Sequence, residues 1–287
     1  MPDSKTYWLH ALTPLHVGAG FGAGYIDLPI QREKTTGWPI VPGSAVKGVV
    51  ADRFGATDDI RKTDARLRRA FGRAGDDLSQ AGALVFSDAR LICLPVQSVF
   101  GTFAWVTSPL ALRRLARDLT ATGVTNIPPF PQPAEGGAWV CRNNCVAPAA
   151  KLFLTDLDYN VTVHDSSNQW AEHLATKVFD AAWQAEFKRR FAVVTDDDFS
   201  FLATTACEVT ARVKIDEKTK TVADGALWYE EALPAETILA GLVWCDGIGQ
   251  AAAANADLFT SYCTSALTLQ IGGKASVGRG RTRCLFS

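Results

Sequence analysis

Apolar and polar positions alternate along this chain in short stretches whose period switches between that of a strand and that of a helix. Tyr7 to Leu12 is apolar and β-prone and stops at Thr13-Pro14, which predicts a first strand. Pro42-Gly43-Ser44 reads as a turn with Ser44 as N-cap, and Ala45 to Phe54 follow at helical spacing. Gly55 to Thr63 is polar and reads as an exposed connection, with a basic helix predicted from Asp64 to Phe71. Ala83 to Pro95 and Val99 to Val106 are apolar runs close enough to pair as a hairpin. Ser108-Pro109 opens a further helix, in which Leu112, Leu115 and Leu119 mark the buried stripe. Ile127 to Gly137 is proline-rich and irregular, and Asn168 to Phe191 carries apolar residues at the spacing of one long helix. Val209 to Ile215 alternates like a strand, Asp216 to Lys220 is polar, and Thr221 to Leu233 returns, which predicts a hairpin with a polar tip. Ile238 to Trp244 (strand), Ala251 to Ala266 (helix), Leu267 to Ile271 (strand) and a final short strand complete the chain.

Strand, helix, hairpin and helix in the first part supply most of a βαββαβ pattern, so the expected class is α+β with a ferredoxin-like core. Both halves carry strand-helix-strand segments and a glycine-rich loop, which leaves two related halves open as a reading. With 287 residues the chain forms one large domain or one domain with sizeable insertions. Its 47% hydrophobic and 21% charged residues are ordinary for a soluble globular protein. It has no apolar run of membrane-spanning length and no signal pattern at the start, so a cytoplasmic protein is expected. Seven scattered cysteines fit reduced thiols, and Cys141 with Cys145 lacks the neighbouring ligands of a zinc site.

The 29 Lys and Arg against 30 Asp and Glu leave a net charge of −1, which argues against indiscriminate coating with nucleic acid but permits a basic groove. The clusters Arg61, Lys62, Arg66, Arg68, Arg69, Arg73 and Lys188 to Arg190 read as solvated faces. Arg279, Arg281 and Arg283 are interleaved with glycine and read as functional. Asp196-Asp197-Asp198 reads as a solvated turn or helix N-terminus rather than a metal site.

The chemistry concentrates between Thr13 and Gly48. Gly18, Gly20, Gly22 and Gly24 leave every second residue bare, so a bulky anion can lie on the backbone with amides free to donate. The helix start near Ser44, with Lys47 one turn in, reads as a phosphate seat. A second glycine run, Gly272 to Arg283, joins it into one anion-binding surface if the two meet in space. A dinucleotide fingerprint fails because position 23 is Ala and Tyr25 to Pro29 occupies the place of the cofactor helix. Gly273 to Gly278 followed by Arg279 lacks the Lys and Ser or Thr of a nucleotide phosphate loop. What remains is phosphate binding without a base-specific code. Of the four histidines, His16 adjoins the glycine loop and His10 reads as structural. Asp27, between Ile26 and Leu28, either caps a local turn or faces something that needs a negative charge.

Four blocks carry a family resemblance: LxPLHVGxG, GxIDLPIxRExxTGWPxxPGSxxKG, GALxFSDARLxxLPVxSxxGTFAWVTSP and IGGxASVGRGR. They resemble the Cmr backbone subunit, the repeated RAMP-superfamily protein of type III-B CRISPR effector complexes. The resemblance implies a single RAMP domain over 1–287: a ferredoxin-like (RRM-like) palm, insertions about 55–82 and 120–200, a projecting β-hairpin thumb about 207–233, and a C-terminal glycine-arginine loop 272–283. It implies copies stacked head-to-tail along a CRISPR guide RNA with other Cmr subunits, each thumb displacing a nucleotide of the guide–target duplex at regular intervals. Complementary target RNA is then cut by a metal-dependent endoribonuclease that uses Mg²⁺ or Mn²⁺. The family's acid carries over to Asp27, as base or metal ligand, its histidine to His16, and a cleavage-linked region to Tyr229, Glu230 and Glu231. The guide backbone would rest on Gly18, Gly20, Ser44, Lys47, Gly272, Gly273, Arg279 and Arg281. Three other functions stay open: a non-catalytic guide-RNA scaffold, a metal-independent processing endoribonuclease centred on histidine, and a module for a small phosphorylated ligand.

Overall fold

In the first strand, Ser4–Ala11, Tyr7, Leu9 and Ala11 are buried in one core and Trp8 in another, because successive side chains point to opposite faces of the sheet. A strand buried on both faces belongs in the middle of a molecule, and the rest of the chain builds outwards from it. The computed structural model describes residues 4–20, 22, 24–75, 79–246, 252–264 and 266–287.

Four antiparallel strands form the palm in the spatial order Arg281–Phe286, Ser4–Ala11, Ile238–Cys245 and Ala89–Gln97. Helix Gly43–Arg53 lies in the crossover from Ser4–Ala11 to Ala89–Gln97, and helix Ala252–Tyr262 in that from Ile238–Cys245 to Arg281–Phe286. This is the ferredoxin-like βαββαβ, and both helices bury residues in the same core, Val46 and Val50 from one, Leu258 and Phe259 from the other. The sequence reading placed the second half of this pattern too early. The hairpin of Ala89–Gln97 with Phe103–Thr107 exists, but its second arm extends the sheet outwards, and Pro109–Ala121 is not the second palm helix. The third palm strand comes only after a long insertion, and the first strand sits between strands from the far end of the chain, so the two halves are interleaved.

The insertion adds Phe103–Thr107, Phe191–Val193, Gly137–Val140, Leu157–Val163 and Lys151–Leu154 to the sheet, which has twelve strands among the described residues. It also covers the face that the palm helices leave bare. Leu112, Leu115 and Leu119 join Trp105, Trp170, Leu174 and Phe187 there, each contributing about 1.5–3 kcal/mol by leaving water. Ser108 caps its helix as its sequence demands, with Oγ accepting from Ala111 N at 3.3 Å. The single helix expected over Asn168 to Phe191 is two, Asp165–Val178 and Ala181–Arg190. Asp180 breaks it by accepting from Trp183 N at 3.2 Å as a new N-cap, and Trp183 is half-exposed. The polar stretch after Gly55 contains a short helix, Asp58–Thr63, capped by Thr57. Asp196-Asp197-Asp198 opens helix Asp196–Thr205. All seven cysteines are free, and the Cys141 thiol faces the Ser167 carbonyl at 3.5 Å. No helix among the described residues is long and apolar enough to cross a membrane.

The strands Glu208–Ile215 and Val222–Ala232 pair with each other as a separate two-stranded sheet. One face of this hairpin carries Val213 opposite Leu227 and Ala211 opposite Tyr229; the other carries Arg212 opposite Trp228 and Thr210 opposite Glu230. Val213, Leu227 and Tyr229 are exposed.

Candidate active site at the root of the hairpin

Three segments converge where the hairpin leaves the palm: the first glycine loop, the return strand of the hairpin and the C-terminal glycine run. Leu15 and Leu233 exchange backbone hydrogen bonds at 2.8 and 2.9 Å, which fixes His16 beside the hairpin. The His16 Nδ1 lies 2.6 Å from the Glu231 carbonyl and, since a carbonyl only accepts, is the donor in that bond. The ring is buried against Gly18, where an added Cβ would stand 3.2 Å from Nε2. Gly272, at φ +75°, approaches so closely that a Cβ would lie 2.1 Å from the His16 carbonyl oxygen. Gly273 N donates to that same oxygen at 2.9 Å. The seam continues with Gly280 N to Pro14 O at 2.9 Å and Arg281 N to Thr13 Oγ1 at 3.0 Å. The two glycine runs therefore meet, as their composition invited.

Asp27 is exposed, and its Oδ2 accepts from Tyr229 N at 2.8 Å. Leu28 N donates to Tyr229 O, and Glu231 N to Leu28 O, both at 3.0 Å. The segment around Asp27 is thus docked in parallel on the return strand of the hairpin. No other hydrogen bond or ion pair engages this carboxylate among the described residues.

The adjacent glutamates differ from it. Glu230 is buried, with Oε1 taking Lys274 Nζ at 2.7 Å and Trp228 Nε1 at 2.8 Å, and Oε2 facing Arg212 Nε at 3.4 Å. Burial alone would raise its pKa, but these donors and cations outweigh it and bring the carboxyl down to about 2. Glu231 is buried too, with Oε1 at 2.5 Å from Arg32 Nη2 and Oε2 accepting from Ile30 N at 3.0 Å. Both carboxylates are engaged by fixed partners, so this arrangement makes them supports of the loop and hairpin rather than free acids or bases. His16 is buried beside them. Tyr229 contributes its backbone to Asp27 and leaves its ring part-exposed.

Arg279 is buried, with Nη2 donating to Thr210 Oγ1 at 3.1 Å on the hairpin. The Arg281 side chain is exposed, as are Gly18 and Gly20. Ser44 and Lys47 stand apart. Helix Gly43–Arg53 has Pro42 at its N-cap, so Ser44 lies inside the first turn and caps nothing. Its first amide, Gly43 N, already donates to Asp88 Oδ1 at 2.8 Å, which puts a carboxylate where a phosphate was expected. Lys47 is half-buried, its pKa lowered by burial and by Arg61, and no hydrogen bond or ion pair among the described residues joins it to the His16 cluster. Sequence reading passed over Arg32 and Lys274. Two adjacent glutamates in a strand were the available signal, since buried carboxylates require cations from elsewhere in the chain.

A sequence profile of the RAMP superfamily matches residues 8–283. The CRISPR system Cmr endoribonuclease Cmr4 of Pyrococcus furiosus is 31% identical over 283 residues, covering 95% of this chain and 92% of that protein. The crystal structure of oligomeric Cmr4 from Pyrococcus furiosus superposes with a TM-score of 0.75 at 25% identity, over 100% of this chain and 99% of that one. A chain of the type III-B Cmr-beta complex bound to cognate target RNA shares the fold, with a TM-score of 0.75 at 19% identity over 99% of this chain and 97% of that one. An exposed carboxylate at the root of a hairpin, two joined glycine runs and a ferredoxin-like palm are thus set in a chain that belongs to the RAMP superfamily and, within it, to the Cmr4 family.

Proposed function

We propose that this chain is a backbone subunit of a type III-B CRISPR effector complex, where it holds guide RNA and cuts complementary target RNA, with Asp27 at the reacting atoms. The observation that carries this reading is the contrast between carboxylates at one place: Glu230 and Glu231 are buried and paired, while Asp27 is exposed, oriented by Tyr229 N, and has an oxygen to spare. The function of the Pyrococcus relative and its oligomeric crystal form support the assignment and the stacking of copies.

In the proposed reaction Asp27 accepts the proton of a ribose 2′-hydroxyl. The 2′-oxygen bonds to the adjacent phosphorus, the bond to the 5′-oxygen breaks, and that oxygen takes a proton from solvent. The products are a 2′,3′-cyclic phosphate and a 5′-hydroxyl. The apolar hairpin face of Val213, Leu227 and Tyr229 can hold a displaced nucleotide, freeing its sugar to turn towards in-line geometry. The exposed backbone at Gly18 and Gly20 and the cation of Arg281 would carry RNA phosphates without reading bases.

No cluster of three metal-ligating side chains occurs among the described residues. One available carboxylate nonetheless fits Mg²⁺ or Mn²⁺, since Mg²⁺ is commonly held by one or two carboxylates together with substrate phosphates and water. In the metal form of this reading Asp27 would hold such an ion in place of taking the proton, and the ion would supply charge stabilisation to the phosphorane. The test is Asp27→Ala in the reconstituted complex: target cutting vanishes while assembly and target binding persist. Full-rate cutting by that variant would return the chain to the scaffold reading.

A further inference from the structure

Backbone hydrogen bonds dock the Asp27 segment on the hairpin strand of Tyr229 and Glu231, and one cation ties that strand to the surrounding elements. Arg32 lies just past the Asp27 segment, and its guanidinium reaches four elements at once. Nη1 donates to Gly37 O at 2.9 Å, closing its own turn, and to Ala203 O at 3.0 Å, near the end of helix Asp196–Thr205. Nη2 meets Glu231 Oε1 at 2.5 Å and Cys207 Sγ at 3.6 Å, the latter at the foot of the hairpin. Glu231 passes the constraint on through three further atoms. Its Oε2 accepts from Ile30 N, its N–H donates to Leu28 O, and its carbonyl accepts from His16 Nδ1. Tyr229, two residues before it on the same strand, supplies the amide that orients Asp27.

We infer that Arg32 is a positioning residue for RNA cutting: acting through Glu231, it sets the register of the Asp27 segment on the hairpin and thereby the place of the Asp27 carboxylate. The planar fork of arginine is required, because one lysine ammonium has neither the reach nor the geometry to serve the Gly37 and Ala203 carbonyls and the Glu231 carboxylate together. The side chain is three-quarters buried and its guanidinium is taken up by partners within the fold, so the expected effect of its loss is on geometry rather than on affinity. Removing the guanidinium leaves Glu231 as a buried carboxylate with one amide partner. That favours a shift of the strand carrying Tyr229 and Glu231, and misplacing a reacting group by an ångström costs about 100-fold in rate.

This inference rests on the reading of Asp27 as the cutting carboxylate. The experiment therefore carries Asp27→Asn beside Arg32→Gln and Arg32→Lys, each in the full effector complex with guide RNA. Single-turnover cutting is measured at saturating target, together with target affinity and the distribution of cut positions. Expected for both Arg32 variants is a rate about 10- to 100-fold lower per assembled complex, with affinity within twofold and a larger share of cuts at neighbouring linkages. A residue that served stability alone would lower the amount of complex and leave the rate and cut positions of the remainder unchanged. Wild-type rate and cut positions in either assembled variant overturn the inference. Failure of both variants to assemble also overturns it, since Arg32 would then be a folding residue. Asp27→Asn cutting at full rate sinks the underlying reading of the site, whereas an inactive Asp27→Asn beside fully active Arg32 variants sinks only the role of Arg32.

Discussion

Replacing Gly272 by alanine tests whether the two glycine runs are held together by backbone contact. At φ +75° an L-residue costs about 1–2 kcal/mol in the left-handed region. The added Cβ would fall 2.1 Å from the His16 carbonyl oxygen, a backbone atom that cannot swing aside. Relieving the overlap must lengthen the Gly273 N to His16 O bond of 2.9 Å, worth about 1 kcal/mol, and loosen the packing of Val17 beside it. The first two costs give about 2–3 kcal/mol, or a fall in Tm of about 4–6 °C for a chain of this size, and the loosened packing adds to it. Gly20→Ala is the internal control, because Gly20 has φ +91° but nothing within 4 Å of its Cβ position. It should lose only the backbone cost, about 1–2 kcal/mol and 2–4 °C. Calorimetric melts of both variants decide the matter, and equal melting temperatures would refute the close approach as the source of the difference.

Other expectations follow from the same geometry. Glu230 is held at about 2 against an ordinary 4.5, so its pairing contributes stability above about pH 4.5 that is lost as pH falls towards 2. Lys274→Met should therefore weaken the fold against urea at pH 7 and differ less from the parent at pH 3. Trp105→Ala removes a fully buried ring and its hydrogen bond to Glu236 O at 2.9 Å, and should cost about 3–5 kcal/mol in denaturant titrations. Arg281→Ala, at an exposed site on the glycine seam, should lower the salt slope of RNA binding by about 0.7, the share of one single-strand phosphate.

Local chemistry was the legible part of this sequence. The Ser108-Pro109 helix start, the alternating arms of the hairpin and the glycine-arginine seam are each specified by neighbouring residues, and each forms where the pattern places it. The ferredoxin-like order was legible as a class but not as a path. No local signal says that Ser4–Ala11 takes Ile238–Cys245 as its neighbour across the long insertion. The break at Asp180 was hidden because an aspartate on a helical wheel looks like any solvated residue until its side chain turns back to Trp183 N. At the site, Asp27 and His16 stand out because a glycine loop isolates them. Whether a carboxylate is free or engaged depends on partners such as Arg32 for Glu231 and Lys274 for Glu230, which are distant in sequence and meet only in the fold.

The most direct measurement is a structure of the effector complex with guide RNA and a target whose scissile nucleotide is 2′-deoxy, so that it binds and stays intact. Expected is the Asp27 carboxylate within hydrogen-bond or one-water distance of that sugar's C2′ edge, with the apolar hairpin face against the displaced nucleotide. A scissile linkage lying instead along the Lys274 and Arg212 side of the hairpin, with Asp27 facing bulk solvent, would contradict the assignment.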